Sequence, residues 1–207
     1  MKDVKFSKFV LFINGLIPVT LLLWDLYHKR VGANPLEFVT RTTGMLTLVF
    51  LIITLAVTPL RKITGANWLV KFRRIVGLFA FFYGAIHLIT YIWFDRFFNV
   101  RSIVGDVGQR PFIAIGMMAF FLMVPLAVTS TDKMVKRLGG KLWIKLHRVV
   151  YVAGILGVLH YWMLVKSDTR LPLTFAFILL LLLGYRLFVK YFPPQNRVAG
   201  PALFTRK

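Results

Sequence analysis

The chain has 207 residues, of which 58% are hydrophobic and only 16% charged. A soluble domain is roughly 45–50% apolar and about 25% charged, so this composition excludes a soluble globule and a disordered chain alike. The 27 Lys and Arg against 7 Asp and Glu leave a net charge of +20, but these cations fill the gaps between long apolar runs, which indicates an integral membrane protein and no nucleic-acid partner.

Charge-free intervals delimit six spans. The first, about 9–27, follows Lys2, Lys5 and Lys8. It reads as a helix and not a signal peptide, because its apolar stretch is too long and lacks a small-residue cleavage site. The others cover about 42–60, 75–94, 111–131, 149–165 and 171–189. Crossing a hydrocarbon core of roughly 30 Å takes about 20 apolar residues. The first and last spans reach that length by running past Asp25 and Arg186, the latter able to snorkel to the headgroups. The expected architecture is all-α, a six-transmembrane-helix bundle forming a single domain over residues 1–207. Residues from Val198 onward read as a loose tail. The absence of Cys removes disulfides, thiolate metal sites and covalent haem attachment.

Six spans put both termini on one side. That side carries 19 Lys and Arg, the other 8. By the positive-inside rule the termini and the loops after the second and fourth spans are cytoplasmic. The cations then orient the chain and face lipid headgroups. Trp24, Tyr27, Trp68, Trp93, Trp143, Tyr161, Trp162 and Tyr191 fall near the interfaces and read as anchors, not as a site.

A membrane span that buries a titratable side chain usually has a functional reason. His87 lies 13 residues after Arg74 and 8 before Asp95; His160 lies 12 after Arg148 and 6 before Lys166. Spans three and five run the same way, so both imidazoles sit at one depth in the outer half of the bilayer. Two such imidazoles can supply both axial ligands of a haem iron. The alternative is a hydrogen bond between helices. No third ligand for zinc is apparent at that level. His28 reads as a surface residue. His147 stands at the cytoplasmic start of span five, about 20 Å from His160 along an ideal helix and facing about 140° away. Gly154 and Gly157 could bend the helix between them; otherwise the two His serve different partners.

The stretch Arg73-Arg74-Ile75-Val76-Gly77-Leu78 leads to Tyr83, His87 and Tyr91. Trp143-Ile144-Lys145-Leu146-His147-Arg148 is followed by Tyr151 and by Leu159-His160-Tyr161-Trp162. With Gly44, Thr58-Pro59-Leu60 and Thr129-Ser130-Thr131, these stretches are similar to the MsrQ/YedZ family over roughly residues 10 to 190. Its members are haem-binding membrane subunits of bacterial periplasmic methionine sulfoxide reductase systems. A weaker likeness extends to the ferric reductase transmembrane domain, which implies a ferric reductase-like fold. Two departures are visible: Ile86 precedes His87 where Leu is usual, and Arg73 and Arg74 stand where an inner haem would take a second His.

The resemblance implies an electron conduit with one or two haem b groups and an associated FMN. His87 and His160 would ligate the outer iron, and His147 an inner one. The electron donor would be the quinone pool or a cytoplasmic flavin reductase. The acceptor would be a periplasmic molybdenum-containing (molybdopterin) catalytic subunit that repairs oxidised proteins. No glycine-rich phosphate motif marks an FMN site, although the cytoplasmic Arg and Lys loops suit propionates or a phosphate. Such a subunit transforms no organic substrate itself. The competing reading is a self-standing ferric or cytochrome b561-type reductase, which a fused NAD- or flavin-binding domain would favour; none follows span six in the sequence.

Overall fold

The computed structural model describes residues 4–192; Lys2 and the expected loose tail from Val198 lie outside them. Six helices are long and apolar enough to cross a membrane. They are α1 (Val4–Tyr27), α2 (Pro35–Thr64), α3 (Arg73–Ile89) continued by a π-helical turn over Thr90–Asp95, α5 (Pro111–Val128), α7 and α8 (Gly140–His147 and Val149–Leu164), and α9 (Arg170–Tyr191). Two short α-helices lie between spans, α4 (Val100–Gln109) and α6 (Asp132–Leu138), and a 3-10 turn over Asn67–Lys71 joins α2 to α3. The starts of α1, α3 and α7 and the ends of α2, α5 and α9 share one end of the bundle, the more basic one.

Local chemistry sets where each helix starts and stops. Asn34 caps α2, its side chain accepting the Glu37 N–H at 3.2 Å, and Pro35 fills the first turn. Gly65, at φ +73°, ends it. The resulting helix of 30 residues is about 45 Å long, well beyond the 42–60 expected from charge-free sequence. Arg41 lies within the helix and pairs with Glu37 one turn earlier, at 2.7 Å on an exposed face, so these first turns extend past a hydrocarbon core of roughly 30 Å. Conversely α5 stops at Val128, short of the expected 131. There Thr129 turns its hydroxyl onto Pro125 O at 2.6 Å, and Thr131 caps α6 instead.

The fifth span has one irregular residue, and it is not at its glycines. Gly154 and Gly157 both lie within the continuous helix α8, whereas the irregularity falls at Arg148, between His147 and Val149. The α4 segment was not foreseen as a helix. It is pinned by Asp106, which is buried and takes Arg96 Nε at 2.6 Å and the Tyr91 hydroxyl at 2.9 Å.

The core lies where two helix pairs, α2 with α3 and α5 with α8, meet under α9. Leu48, Leu55, Val158 and Leu179 form one buried cluster, and Leu51, Ala80, Met123 and Ala153 another. Large apolar side chains such as Phe9, Leu21, Phe121, Phe177 and Leu180 remain exposed on the outside; in water that surface would aggregate, and in lipid it is solvated. Helix α1 packs peripherally against α3, with the buried Tyr83 hydroxyl donating to Gly15 O at 2.7 Å.

Candidate functional site

His87 stands on α3 one turn before the π-helical turn, a local widening that recurs at functional positions. His160 projects from α8. The ring centroids are 6.1 Å apart with the planes at 79°. The structure therefore brings together the two histidines that the charge spacing placed at one depth.

Each ring is held from behind by a neighbouring helix. His87 Nδ1 lies 2.8 Å from Thr40 O on α2, and His160 Nδ1 lies 2.6 Å from Phe112 O on α5. A carbonyl oxygen only accepts, so Nδ1 carries the proton in both rings and Nε2 keeps its lone pair. Metal-ligating imidazoles are held in just this way. Two metal–nitrogen bonds of about 2 Å, plus about 1 Å from each Nε2 to its ring centre, call for roughly 6 Å between centroids, and the pair meets that separation. Among the described residues no group of three or more His, Cys, Asp or Glu converges on one point. Two ligands suit a macrocycle that brings its own in-plane nitrogens; they do not complete a zinc site.

Polar backing around His87 is complete. The buried Thr90 donates to His87 O at 2.7 Å, and the fully buried Thr43 donates to Val39 O at 2.7 Å and reaches Thr40 O at 3.2 Å. His28 stays out of the site: its Nδ1 lies 2.9 Å from Trp24 O on an exposed turn.

His147 does not join the pair. Its Nε2 lies 3.1 Å from Thr129 Oγ1 at the end of α5. Because the Thr129 hydroxyl already donates to Pro125 O, it accepts from His147, so Nε2 is the protonated nitrogen here. The ring stacks on Trp143 at 3.8 Å between centroids, and Trp143 Nε1 donates to Thr129 O at 2.9 Å. Trp143, expected as an interfacial anchor, thus also packs on His147 and braces the end of α5.

This second group borders a cavity of about 560 Å³ toward the basic end of the bundle. Arg73, Arg74, Arg148 and Arg186 line it together with His147 and Trp143. Arg186 is fixed from α9 by Leu55 O at 2.6 Å and the Tyr151 hydroxyl at 2.8 Å. Arg74 pairs with Asp132 on α6 at 2.7 Å, and that hydrogen bond with its charge holds the Asp132 carboxyl below its ordinary range. The cavity combines an aromatic floor with guanidinium groups. That is the chemistry of a flat anion with carboxylate or phosphate arms.

Residues 42–158 match the model of the ferric reductase like transmembrane component family. A relative from Herminiimonas arsenicoxydans, named protein-methionine-sulfoxide reductase heme-binding subunit MsrQ, is 51% identical over 87% of this chain and 84% of its own length. A protein of the same name from Ralstonia nicotianae is 46% identical over 98% of this chain and 94% of its own length. Another from Rhodospirillum rubrum is 49% identical over 88% of each chain. The chain belongs to the ferric reductase-like transmembrane family and, within it, to the MsrQ proteins.

Proposed function

We propose that this protein is the haem-bearing membrane subunit of a methionine sulfoxide reductase system and carries electrons across a bacterial inner membrane, with both termini cytoplasmic. A haem b is held at the outer level by His87 and His160. The observation that supports this is the pair itself: two imidazoles 6.1 Å apart, each with Nδ1 committed to a helix carbonyl and Nε2 free. Haem, when bound, supplies a one-electron carrier; the chain orients it, excludes water and tunes its potential through the ligand hydrogen bonds.

The basic cavity is the second cofactor site in this reading. It takes an aromatic dianion, either a second haem b with His147 as one ligand or FMN. Arg73, Arg148 and Arg186 face its propionates or phosphate, and His147 would ligate an inner haem through Nδ1, which keeps its lone pair, or through Nε2 once the Thr129 bond is given up. Electrons enter from the quinone pool or a cytoplasmic flavin reductase. They leave to a periplasmic molybdenum-containing subunit that returns methionine sulfoxide to the apolar thioether. One domain over the whole chain serves this role.

Purified wild-type, His87→Ala and His160→Ala proteins test the outer site by dithionite-reduced spectra and haem content. Loss of the same low-spin haem in both variants supports it. Full haem and unchanged spectra in both would end the proposal.

A further inference from the structure

Both histidines of the pair use their neighbouring helix in the same way. His87 donates to the carbonyl of Thr40, and the residue four positions further along α2 is Gly44; His160 donates to the carbonyl of Phe112, and four positions further along α5 stands Gly116. In an α-helix the carbonyl of residue i points at the N–H of residue i+4. A side group approaching that carbonyl from outside must therefore pass the Cβ of residue i+4.

The space at each glycine agrees with this. A Cβ on Gly44 would lie 3.0 Å from both Cε1 and Nδ1 of His87. A Cβ on Gly116 would lie 2.7 Å from Nδ1, 2.8 Å from Cε1 and 3.2 Å from Cγ of His160. Ordinary contact between carbons needs about 3.5–4.0 Å. Neither glycine is required by its backbone, since among the described residues the positive-φ glycines are Gly32, Gly65 and Gly139. A glycine inside a helix weakens it relative to alanine, so each site gives up helix stability to leave room for a ring.

We propose that Gly44 and Gly116 are positioning residues for the two axial ligands. The bare i+4 position lets each imidazole settle on the helix surface and reach the carbonyl, which fixes the Nδ1–H tautomer and leaves Nε2 for the metal. That hydrogen bond makes the ligand more electron-donating and favours ferric over ferrous iron. A methyl group at either position pushes the ring off the helix and breaks the bond. The inference rests on the proposed ligation by His87 and His160.

The test compares Gly44→Ala, Gly116→Ala and Gly157→Ala in the purified, monodisperse protein. Haem content, the ferric low-spin fraction and the midpoint potential of the outer haem are read. Gly157 is the control, because a Cβ there meets only Leu48 Cδ1 at 3.5 Å, on the same helix as His160. Gly116→Ala, with the closer clash, is expected to raise the potential, convert low-spin to high-spin iron and lower haem occupancy severalfold. Gly44→Ala should show the same changes to a smaller degree, and Gly157→Ala none. Should Gly116→Ala fail to yield monodisperse protein, the milder Gly44→Ala decides. Wild-type spectra and potential in the glycine variants, while His87→Ala and His160→Ala lose haem, would overturn this inference alone. Equal shifts in Gly157→Ala would overturn it as generic packing. Retained haem in the histidine variants would instead refute the ligation beneath it.

Discussion

His147 and His160 belong to one membrane span, and both imidazoles reach the same neighbouring helix. His160 takes the Phe112 carbonyl near the start of α5, and His147 takes the Thr129 hydroxyl at its end. On an unbroken helix the two would face about 140° apart. Around Arg148 the ladder tightens to i→i+3 bonds, Arg148 N–H to Lys145 O at 3.2 Å and Tyr151 N–H to Arg148 O at 3.0 Å, and each residue in such a turn advances the facing by more than the α-helical 100°. One helix pair, α5 with α7 and α8, thereby presents an imidazole at each of two levels of the bilayer, one to His87 and one to the basic cavity.

The near-perpendicular planes of His87 and His160, at 79°, have a spectroscopic consequence. Crossed imidazole planes leave the iron d orbitals that they address nearly equal in energy. The ferric outer haem should therefore give a strongly anisotropic low-spin signal by electron paramagnetic resonance, with its largest g value above that of a parallel bis-imidazole haem. A rhombic spectrum of the parallel type would show that the rings rotate on binding the cofactor.

At the opposite end of the bundle from the termini, Asp106 ties α4 to the π-helical turn through Arg96 and Tyr91. Asp106→Asn keeps the shape and removes the charge. Breaking a fully buried ion pair costs roughly 3–5 kcal/mol. The Arg96 side chain stays 20% exposed, so the expected loss is smaller, about 2 kcal/mol. Thermal unfolding in detergent measures it, and a variant as stable as wild type would show that α4 is held by other contacts.

What the sequence disclosed follows from which interactions leave a trace in residue type. The spans were readable because lipid excludes charge, and the depth match of His87 and His160 because flanking cations such as Arg74 and Arg148 mark the interfaces. The extra turns of α2 were hidden because Glu37 and Arg41 interrupt the charge-free stretch that marks the span, although both lie within the helix. Thr40 and Phe112 act through carbonyls, which every residue possesses, so nothing in their side chains points to the site. Gly44 and Gly116 are two of 15 glycines, and their purpose shows only when a ring from another helix lies over them. Trp143 satisfied the pattern of an interfacial anchor while serving His147.

The distribution of basic residues, 19 against 8, predicts where the termini face. A reporter fused after Lys207 should be active only if it is one that functions in the cytoplasm. Activity from a reporter that works only in the periplasm would require an odd number of spans or an inverted bundle, and would move the basic cavity to the outer face.

The basic cavity yields the last prediction. Arg186 holds its guanidinium between Leu55 O and the Tyr151 hydroxyl, with its carbon 5.0 Å above the Tyr151 ring centre. A cation so anchored inside a membrane helix is costly unless it meets an anion. Arg186→Gln keeps a donor for Leu55 O and removes the charge, and a lost charge-assisted hydrogen bond is worth about 1.5–3 kcal/mol. Occupancy of the second cofactor should fall by roughly tenfold or more, while the haem at His87 and His160 stays at wild-type content. Haem and FMN are quantified separately per protein in wild type, Arg186→Gln and His147→Ala. Loss of haem in both variants identifies the cavity with an inner haem. Loss of FMN in Arg186→Gln, with haem content unchanged in His147→Ala, identifies it with the flavin. If neither cofactor declines in either variant, the cavity holds no aromatic dianion, and its arginines serve only to orient the helices.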